Sequence, residues 1–75
     1  MKLIRVKEYQ EIFKDDKYTP VSIDAIINLD QITLVREVID GLLIFLTGRD
    51  KAITIKDEDS IKLFYKESGL RRVNS

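Results

Sequence analysis

Between residues 32 and 56 the chain alternates apolar runs with short glycine-containing turns, and this pattern constrains the fold more than any other feature. Asp40-Gly41 separates a β-branched run at 32–39 from an apolar run at 42–47. An Asp-Gly pair in this setting predicts a two-residue hairpin turn, because both residues tolerate the positive φ of a type I′ turn. A second turn at 48–51 leads into an alternating run at 52–56. We therefore predict an antiparallel meander of three strands.

The alternation of side chains sets the register of this meander. Turns centred on Asp40-Gly41 and Arg49-Asp50 place nearly all the large aliphatic residues on one face. The pairs that define this register are Ile39 with Leu42, Glu37 with Ile44, Val35 with Leu46, Leu46 with Ile53, and Ile44 with Ile55. The predicted core face consists of Val35, Ile39, Leu42, Ile44, Leu46, Ile53 and Ile55, with Glu37 as its charged member.

The other face of the meander is less polar than the solvated face of an antiparallel sheet normally is. We expect either the N-terminal segment or a second copy of the chain to cover part of it. Its candidate interaction patch consists of Leu34, Arg36, Val38, Leu43 and Phe45. The register places Arg36 opposite Phe45. The stem of the arginine then either covers the ring, which we favour, or joins it in a binding patch with an aromatic anchor.

The C-terminal third predicts one helix over residues 58–68. Asp57 is suited to the N-cap, acidic residues follow in the first turn, and Gly69 stands where a glycine ends a helix. Ile61, Phe64 and Tyr65 recur at helical spacing and form the apolar stripe that we expect to pack on the core face.

The first thirty residues carry weaker signals. Residues 2–7 and 22–27 predict strands, and residues 28–31 predict a tight turn or a short helical turn. Ile12-Phe13 either extends a strand or forms one helical turn with Tyr9. The charged run at 14–17 predicts a loop, and Tyr18-Thr19-Pro20 predicts a break in regular structure.

These elements predict an α+β fold, a small antiparallel sheet of four to five strands with the C-terminal helix packed on one face. Its 75 residues are enough for a single domain, 1–75, and we expect residues 70–75 to form a flexible tail. The chain contains no Cys and no His, so it offers neither a disulfide nor the commonest zinc ligands. We predict no bound metal or cofactor.

The charge balance argues against nucleic acid as the main partner. Lysine and arginine together number 13, as do aspartate and glutamate, and Arg71-Arg72 is the longest basic run. Basic and aromatic residues interleave near the N-terminus, but acidic residues there cancel the field. The N-terminus lacks an apolar signal segment, and the apolar run at 42–46 is too short to cross a bilayer. We predict a cytoplasmic protein without membrane contact.

The candidate chemical motifs all have structural interpretations that we favour. Ser60 fits the polar start of a helix rather than a nucleophile. Asp57 begins an acidic run, but a calcium loop would need Gly and Glu where Lys62 and Ser68 stand. Asp15-Asp16 fits a solvated turn better than a cation site, and residues 48–51 lack the spacing of a phosphate-binding loop. We predict that the protein is not an enzyme.

The segment Ala25-Ile-Ile-Asn-Leu-Asp-Gln-Ile-Thr-Leu-Val35, with the hairpin, strand and helix that follow, resembles the second half of LytTR-type domains and the small FlbD-like bacterial proteins. The resemblance covers about residues 22–66 and implies the fold and a bacterial or phage origin. LytTR domains carry basic residues where this chain has Val21, Ser22, Ile23 and Asp24, so their DNA contacts do not transfer.

The unexplained apolar face remains the strongest functional signal. A chain this small cannot easily cover both faces of a sheet, so we predict a protein–protein interaction or self-assembly module, acting as a homo-oligomer or with a protein partner. An accessory nucleic-acid-binding or regulatory role is the alternative.

Overall fold

A computed structural model describes residues 2–70 as two antiparallel sheets and one helix. The elements are β1 (Leu3–Lys14), β2 (Lys17–Asn28), a 3-10 turn (Leu29–Gln31), β3 (Ile32–Val38), β4 (Gly41–Leu46), β5 (Ile53–Ile55) and α1 (Glu58–Ser68). The predicted α+β class is confirmed. The single sheet of four to five strands is wrong, because β1 and β2 form a two-stranded sheet separate from β3-β4-β5. The predicted tail lies outside the described residues except for Leu70.

The N-terminal sheet is one long hairpin. Each strand has 12 residues, and the two are joined by Asp15-Asp16 with φ angles of 53° and 62°. Positive φ at both positions is the requirement of a tight hairpin turn, and aspartate tolerates it better than most residues. The predicted loop at 14–17 is therefore a two-residue turn. Its flanking lysines, Lys14 and Lys17, are the last paired residues of the two strands.

Pro20 lies inside β2, so the predicted break at Tyr18-Thr19-Pro20 is wrong. The residues beside a two-residue turn exchange both backbone hydrogen bonds, and hydrogen-bonded pairs then alternate with non-bonded pairs along the hairpin. Pro20 pairs with Glu11 at a non-bonded position, where its nitrogen faces away from β1. Among the strands of residues 2–70, β2 pairs with β1 alone, so this side of Pro20 is a sheet edge where a missing N–H costs no ladder bond.

The hairpin and the second sheet share one core. β1 lies beside β5, and the Lys7 backbone N–H donates to Ser60 Oγ of α1 at 2.9 Å. The Leu29 N–H donates to the Lys2 carbonyl at 2.9 Å and ties the start of β1 to the end of β2. The buried core consists of Ile4, Val6, Ile27, Leu42, Ile44, Ile53, Ile55, Ile61 and Phe64.

The three-stranded meander is confirmed, but its register differs from the prediction by two residues. The first turn lies at Ile39-Asp40, so Val38 pairs with Gly41 and Val35 pairs with Ile44. The second hairpin shifts in the same way and pairs Ile44 with Ile53. A shift of two residues keeps each side chain on its face, which explains why most of the predicted core face is correct. Its exception is Ile39, which is fully exposed at the turn.

The turn moves because Gly41 is required for close packing rather than for positive φ. A Cβ at position 41 would lie 2.2 Å from the Ile55 carbonyl oxygen and 3.2 Å from Lys56 Cγ. The absence of a side chain at Gly41 lets the start of β4 approach the end of β5.

The helix matches its predicted bounds and its predicted caps. Asp57 Oδ2 accepts a hydrogen bond from the Ser60 N–H at 3.0 Å, and Gly69 ends the helix with a φ of 78°. Ile61 and Phe64 are buried and Tyr65 is half-buried, so the apolar stripe packs on the core face as predicted.

Candidate interaction surface

The five residues of the predicted patch come together on the side of the sheet that faces away from α1. Leu34 pairs with Phe45, and Arg36 pairs with Leu43 on the neighbouring strand. Arg36 Cζ lies 5.8 Å from the centre of the Phe45 ring, one pair away from the predicted position opposite it. Leu34 and Val38 are 44% and 40% exposed, whereas Leu43 and Phe45 are half-buried. The arginine stem and the aliphatic neighbours thus cover part of the Phe45 ring.

The N-terminal segment does not cover this patch. β1 meets the second sheet at β5, the strand farthest from β3 in the order β3-β4-β5. The hairpin therefore meets the second sheet at the edge opposite β3, and Leu34 and Val38 of the patch stay exposed. We call the side of both sheets that faces away from α1 the outer face. Leu3 and Ile26 of the hairpin, 56% and 60% exposed, add to its apolar surface.

The far half of the hairpin projects beyond the shared core. We call residues 10–22 the arm. Val21 is half-buried and every other residue of the arm is exposed. Exposed apolar side chains there include Ile12, Phe13 and Tyr18, and the rings of Phe13 and Tyr18 lie 5.1 Å apart. A two-stranded hairpin is only marginally stable by itself in water. Strand pairing alone therefore does not explain how an arm with so little buried surface stays folded.

One feature of the sequence indicates the hairpin turn of the arm, although the prediction placed a loop there. Asp15-Asp16 is a pair of adjacent aspartates, and aspartate is among the few residues that adopt the left-handed region. Pro20 outweighed that signal, because proline disfavours a strand unless the strand lies at a free edge.

A small polar cluster joins the hairpin to the second sheet on the outer face. The Tyr9 hydroxyl donates to Glu11 Oε1 at 2.9 Å, and Lys56 Nζ lies 4.0 Å from the centre of the Tyr9 ring. Lys56 also forms an ion pair with Asp40 Oδ2 at 3.3 Å. The hydrogen bond to Glu11, partial burial and the Glu11 charge raise the pKa of the Tyr9 phenol, in that order, whereas the Lys56 charge lowers it.

The concave surfaces lie on the opposite side, around α1. A cavity of about 300 Å³ lies between α1 and the turn that joins β3 to β4. Its lining includes Ile39, Glu58 and Ile61. The Tyr65 hydroxyl donates to Glu37 Oε2 at its wall. Glu37, which looked out of place on the core face, therefore has a structural partner at the sheet margin.

The polar residues at the start of α1 form a closed structural network. Ser60 is 7% exposed, and its hydroxyl donates to Asp57 Oδ2 at 3.0 Å while accepting the Lys7 N–H. The bond from Lys7 holds the helix to β1, and the bonds to Asp57 cap the helix, which supports the structural interpretation of Ser60 and of the Asp57 run. Among residues 2–70 no group of three or more acidic, His or Cys side chains could hold a metal ion. Within the same residues, no helix is long and apolar enough to cross a membrane.

Comparison with known proteins gave no match to a family model, to a curated protein or to a solved structure. The resemblance to LytTR-type and FlbD-like proteins therefore stays a prediction.

Proposed function

We propose that the protein is a self-assembly module whose outer face binds a second copy of the chain. The observation that carries this proposal is the position of the hairpin: it lies beside the second sheet, so no described element covers the outer face. The sequence suggested that either the N-terminal segment or a second copy of the chain covers this face. The N-terminal segment lies beside β5, so a second copy remains.

The distribution of exposed apolar residues supports this choice. Leu34 and Val38 on β3, and Leu3 and Ile26 on the hairpin, all lie on the outer face. Burial of apolar area stabilises association by about 25 cal/mol per Å² before the cost of ordering the two partners is subtracted. A face that combines these residues with Arg36 over Phe45 has the aliphatic, aromatic and arginine composition of interface centres.

The test is the mass in solution, measured by light scattering on a sizing column over a range of concentrations. We expect wild type to be a dimer or larger at high concentration, and the double variant Ile26→Glu/Leu34→Glu to be a folded monomer. Ile39→Glu is the matched control, because it places the same charge at an exposed aliphatic site away from the outer face. A wild type that is monomeric up to about millimolar concentration, where even weak specific contacts form, contradicts the proposal.

A second candidate, single-stranded nucleic-acid binding, is favoured by one feature of the arm. The Phe13–Tyr18 pair lies next to the Lys14–Lys17 pair, which is the combination of stacking surface and positive charge that such proteins use. Asp15-Asp16 at the turn opposes it. A labelled oligonucleotide at low salt distinguishes the two candidates: self-assembly predicts no binding at micromolar protein, whereas this alternative predicts binding that Phe13→Ala weakens.

A further inference from the structure

We propose that residues 71–75 of this chain bind in the groove between α1 and β3, with the Arg72 guanidinium among the carboxylates at the far end of that groove. In this arrangement the segment fastens the edge strand β3 to the helix from within the same chain. The inference concerns the helix side of the second sheet, so it is independent of the outer face and of self-assembly.

Two cavities make up this groove. The first, of about 370 Å³, lies where α1 ends, and its lining includes Val35 of β3 and Phe64 of α1. The second is the cavity of about 300 Å³ between α1 and the turn that joins β3 to β4, and its lining includes Glu37 of β3 and Tyr65 of α1. The two cavities therefore follow one another along the same pair of elements.

The described chain ends inside this groove. Gly69 ends α1 with a φ of 78°, and its N–H donates to the Tyr65 carbonyl at 3.2 Å. A left-handed residue at the end of a helix turns the chain back, and the next apolar residue often packs on the last turns of that helix. Leu70 follows this rule, because it lines the first cavity together with Phe64.

The length of residues 71–75 matches the length of the groove. Val35 lines the first cavity and Ile39 lines the second, and four residues of extended chain advance about 13 Å. Five residues beyond Leu70 span at most about 17 Å. The segment is therefore long enough to reach from the first cavity into the second.

The second cavity is acidic. Glu37, Asp40 and Glu58 line it, and none of the residues within 2–70 that line it is basic. Lys56 pairs with Asp40 at 3.3 Å and offsets one of the three charges. The hydrogen bond that Glu37 accepts from Tyr65 is exposed, and a carboxylate has further acceptor sites, so a cation can approach Glu37 from the solvent side.

The charge of residues 71–75 complements this lining. Arg71-Arg72 is the longest basic run of the chain, and all 13 acidic residues precede it. The described residues therefore carry more acidic than basic side chains, and the two arginines supply the balance. Complementary charges of this kind favour one partner and fix the register of a contact.

Side-chain alternation selects Arg72 rather than Arg71 for the acidic cavity. In an extended chain, residues two apart point to the same side. Leu70 lines the groove, so Arg72 faces the groove as well and Arg71 faces away from it. The step from Leu70 to Arg72 equals the step from Val35 to Glu37 on β3, which brings the guanidinium to the Glu37 carboxylate.

Disulfide formation within the full chain tests this binding. The chain has no native cysteine, so introduced thiols have no competitors. Ile39→Cys/Ser75→Cys places one thiol at the second cavity and one on the segment, and Ile39 is fully exposed, so its replacement leaves the core intact. Equilibration with glutathione measures the effective concentration of the two thiols, which is in about the millimolar range for a free tether. We expect a value about tenfold or more above that of a control pair.

The control pair is Lys62→Cys/Ser75→Cys. Lys62 lies next to Ile61 in the same turn of α1, but its side chain is exposed on the solvent side of the helix. The distance along the helix from Leu70 is therefore nearly the same, and the groove is absent. The effective concentration of this pair should stay at the value of a free tether.

Charge reversal in the Ile39→Cys/Ser75→Cys chain tests the contact assigned to Arg72. Arg72→Glu should lower the effective concentration by about fivefold or more, because it replaces an attraction to the carboxylates with a repulsion. Arg71→Glu makes the same change of charge one residue earlier and should lower it less. Glu37→Gln keeps an oxygen for the Tyr65 hydroxyl, and in its presence the effect of Arg72→Glu should be smaller.

The measurements are made on dilute protein, at a concentration where light scattering shows monomers, and circular dichroism establishes that each variant is folded. Equal effective concentrations for the two cysteine pairs overturn the proposal. Disulfide-linked dimers in place of the internal disulfide indicate the segment of a second copy and overturn binding within one chain. A value that both arginine variants lower equally, or that neither lowers, overturns the contact assigned to Arg72. Self-assembly is judged separately, from the mass of the chain without cysteines.

Discussion

At the scale of single residues, Gly41 shows how one residue type satisfies two different requirements. The sequence pattern assigned it to a hairpin turn, whereas the structure uses it to let β4 approach the Ile55 carbonyl. Both requirements select glycine, so composition alone could not separate them. The two-residue shift of the register follows from this ambiguity, because Ile39-Asp40 takes the turn once Gly41 enters the strand.

Replacing this glycine gives a prediction of stability. Gly41→Ala places a methyl group against the Ile55 backbone, where overpacking should lower the free energy of unfolding by about 1–3 kcal/mol. Urea denaturation followed by circular dichroism measures the loss.

Gly48→Ala is the control for this prediction. A Cβ at Gly48 has no neighbour within 4 Å, but its φ of 80° strains an alanine by about 1–2 kcal/mol. Addition of a larger side chain separates the two effects: Gly41→Val should destabilise further than Gly41→Ala, while Gly48→Val should add no clash with a neighbouring element. Equal effects of alanine and valine at position 41 would show that the close approach is not the cause.

The Tyr9 phenol gives a second prediction at this scale. Because the folded state raises its pKa above the ordinary value near 10, the protonated phenol stabilises the fold below that pH, and stability falls as pH rises through the raised pKa. Glu11→Gln removes the negative acceptor, so we expect the pKa of Tyr9 to fall. Ultraviolet titration of a Tyr18→Phe/Tyr65→Phe background isolates this residue. An unchanged pKa would contradict the assigned cause.

At the scale of elements, predictability follows how local the determinants are. The helix was predicted to the residue because its caps lie within three residues of its ends. The hairpin was missed because the acceptability of Pro20 depends on β2 being a free edge, which is a property of the whole sheet. The candidate patch was placed on the correct face because side-chain alternation survives a shift of two residues. The position of the patch relative to the arm could not be predicted, because the hairpin was not recognised in the sequence.

The junction between α1 and β1 gives an element-scale prediction. Ser60→Ala removes the acceptor of the Lys7 N–H and one donor to Asp57, both in a part-buried setting. We expect the free energy of unfolding to fall by about 1–3 kcal/mol, and the Lys7 amide to exchange its hydrogen faster. Ser22→Ala, on an exposed part of β2, is the control and should change little. Unchanged Lys7 exchange would show that Ser60 does not join the two elements.

At the scale of the whole molecule, the structure divides into a packed body and an arm that lacks a core of its own. Within residues 2–70, the apolar residues that are buried, from Ile4 to Phe64, all lie in the body. The arm depends on strand pairing and on whatever contacts its exposed rings. Association and folding of the arm should therefore be coupled.

Hydrogen exchange as a function of protein concentration measures this coupling. At low concentration we expect the amides of residues 10–22 to exchange rapidly, because an isolated two-stranded hairpin opens readily. At concentrations where the mass shows a dimer, the amides of the arm that are hydrogen-bonded across the hairpin should slow, while those of α1 should change little. Arm amides that exchange at the same rate under both conditions would contradict the coupling.

The proline at the outer edge of β2 also bears on what happens when many copies meet. A bare edge strand offers a template onto which further chains can add without limit, the route to fibrils. Pro20 interrupts the row of outward donors on β2 at the level of the arm. A proline at this position disfavours the open-ended addition of chains along the edge of β2.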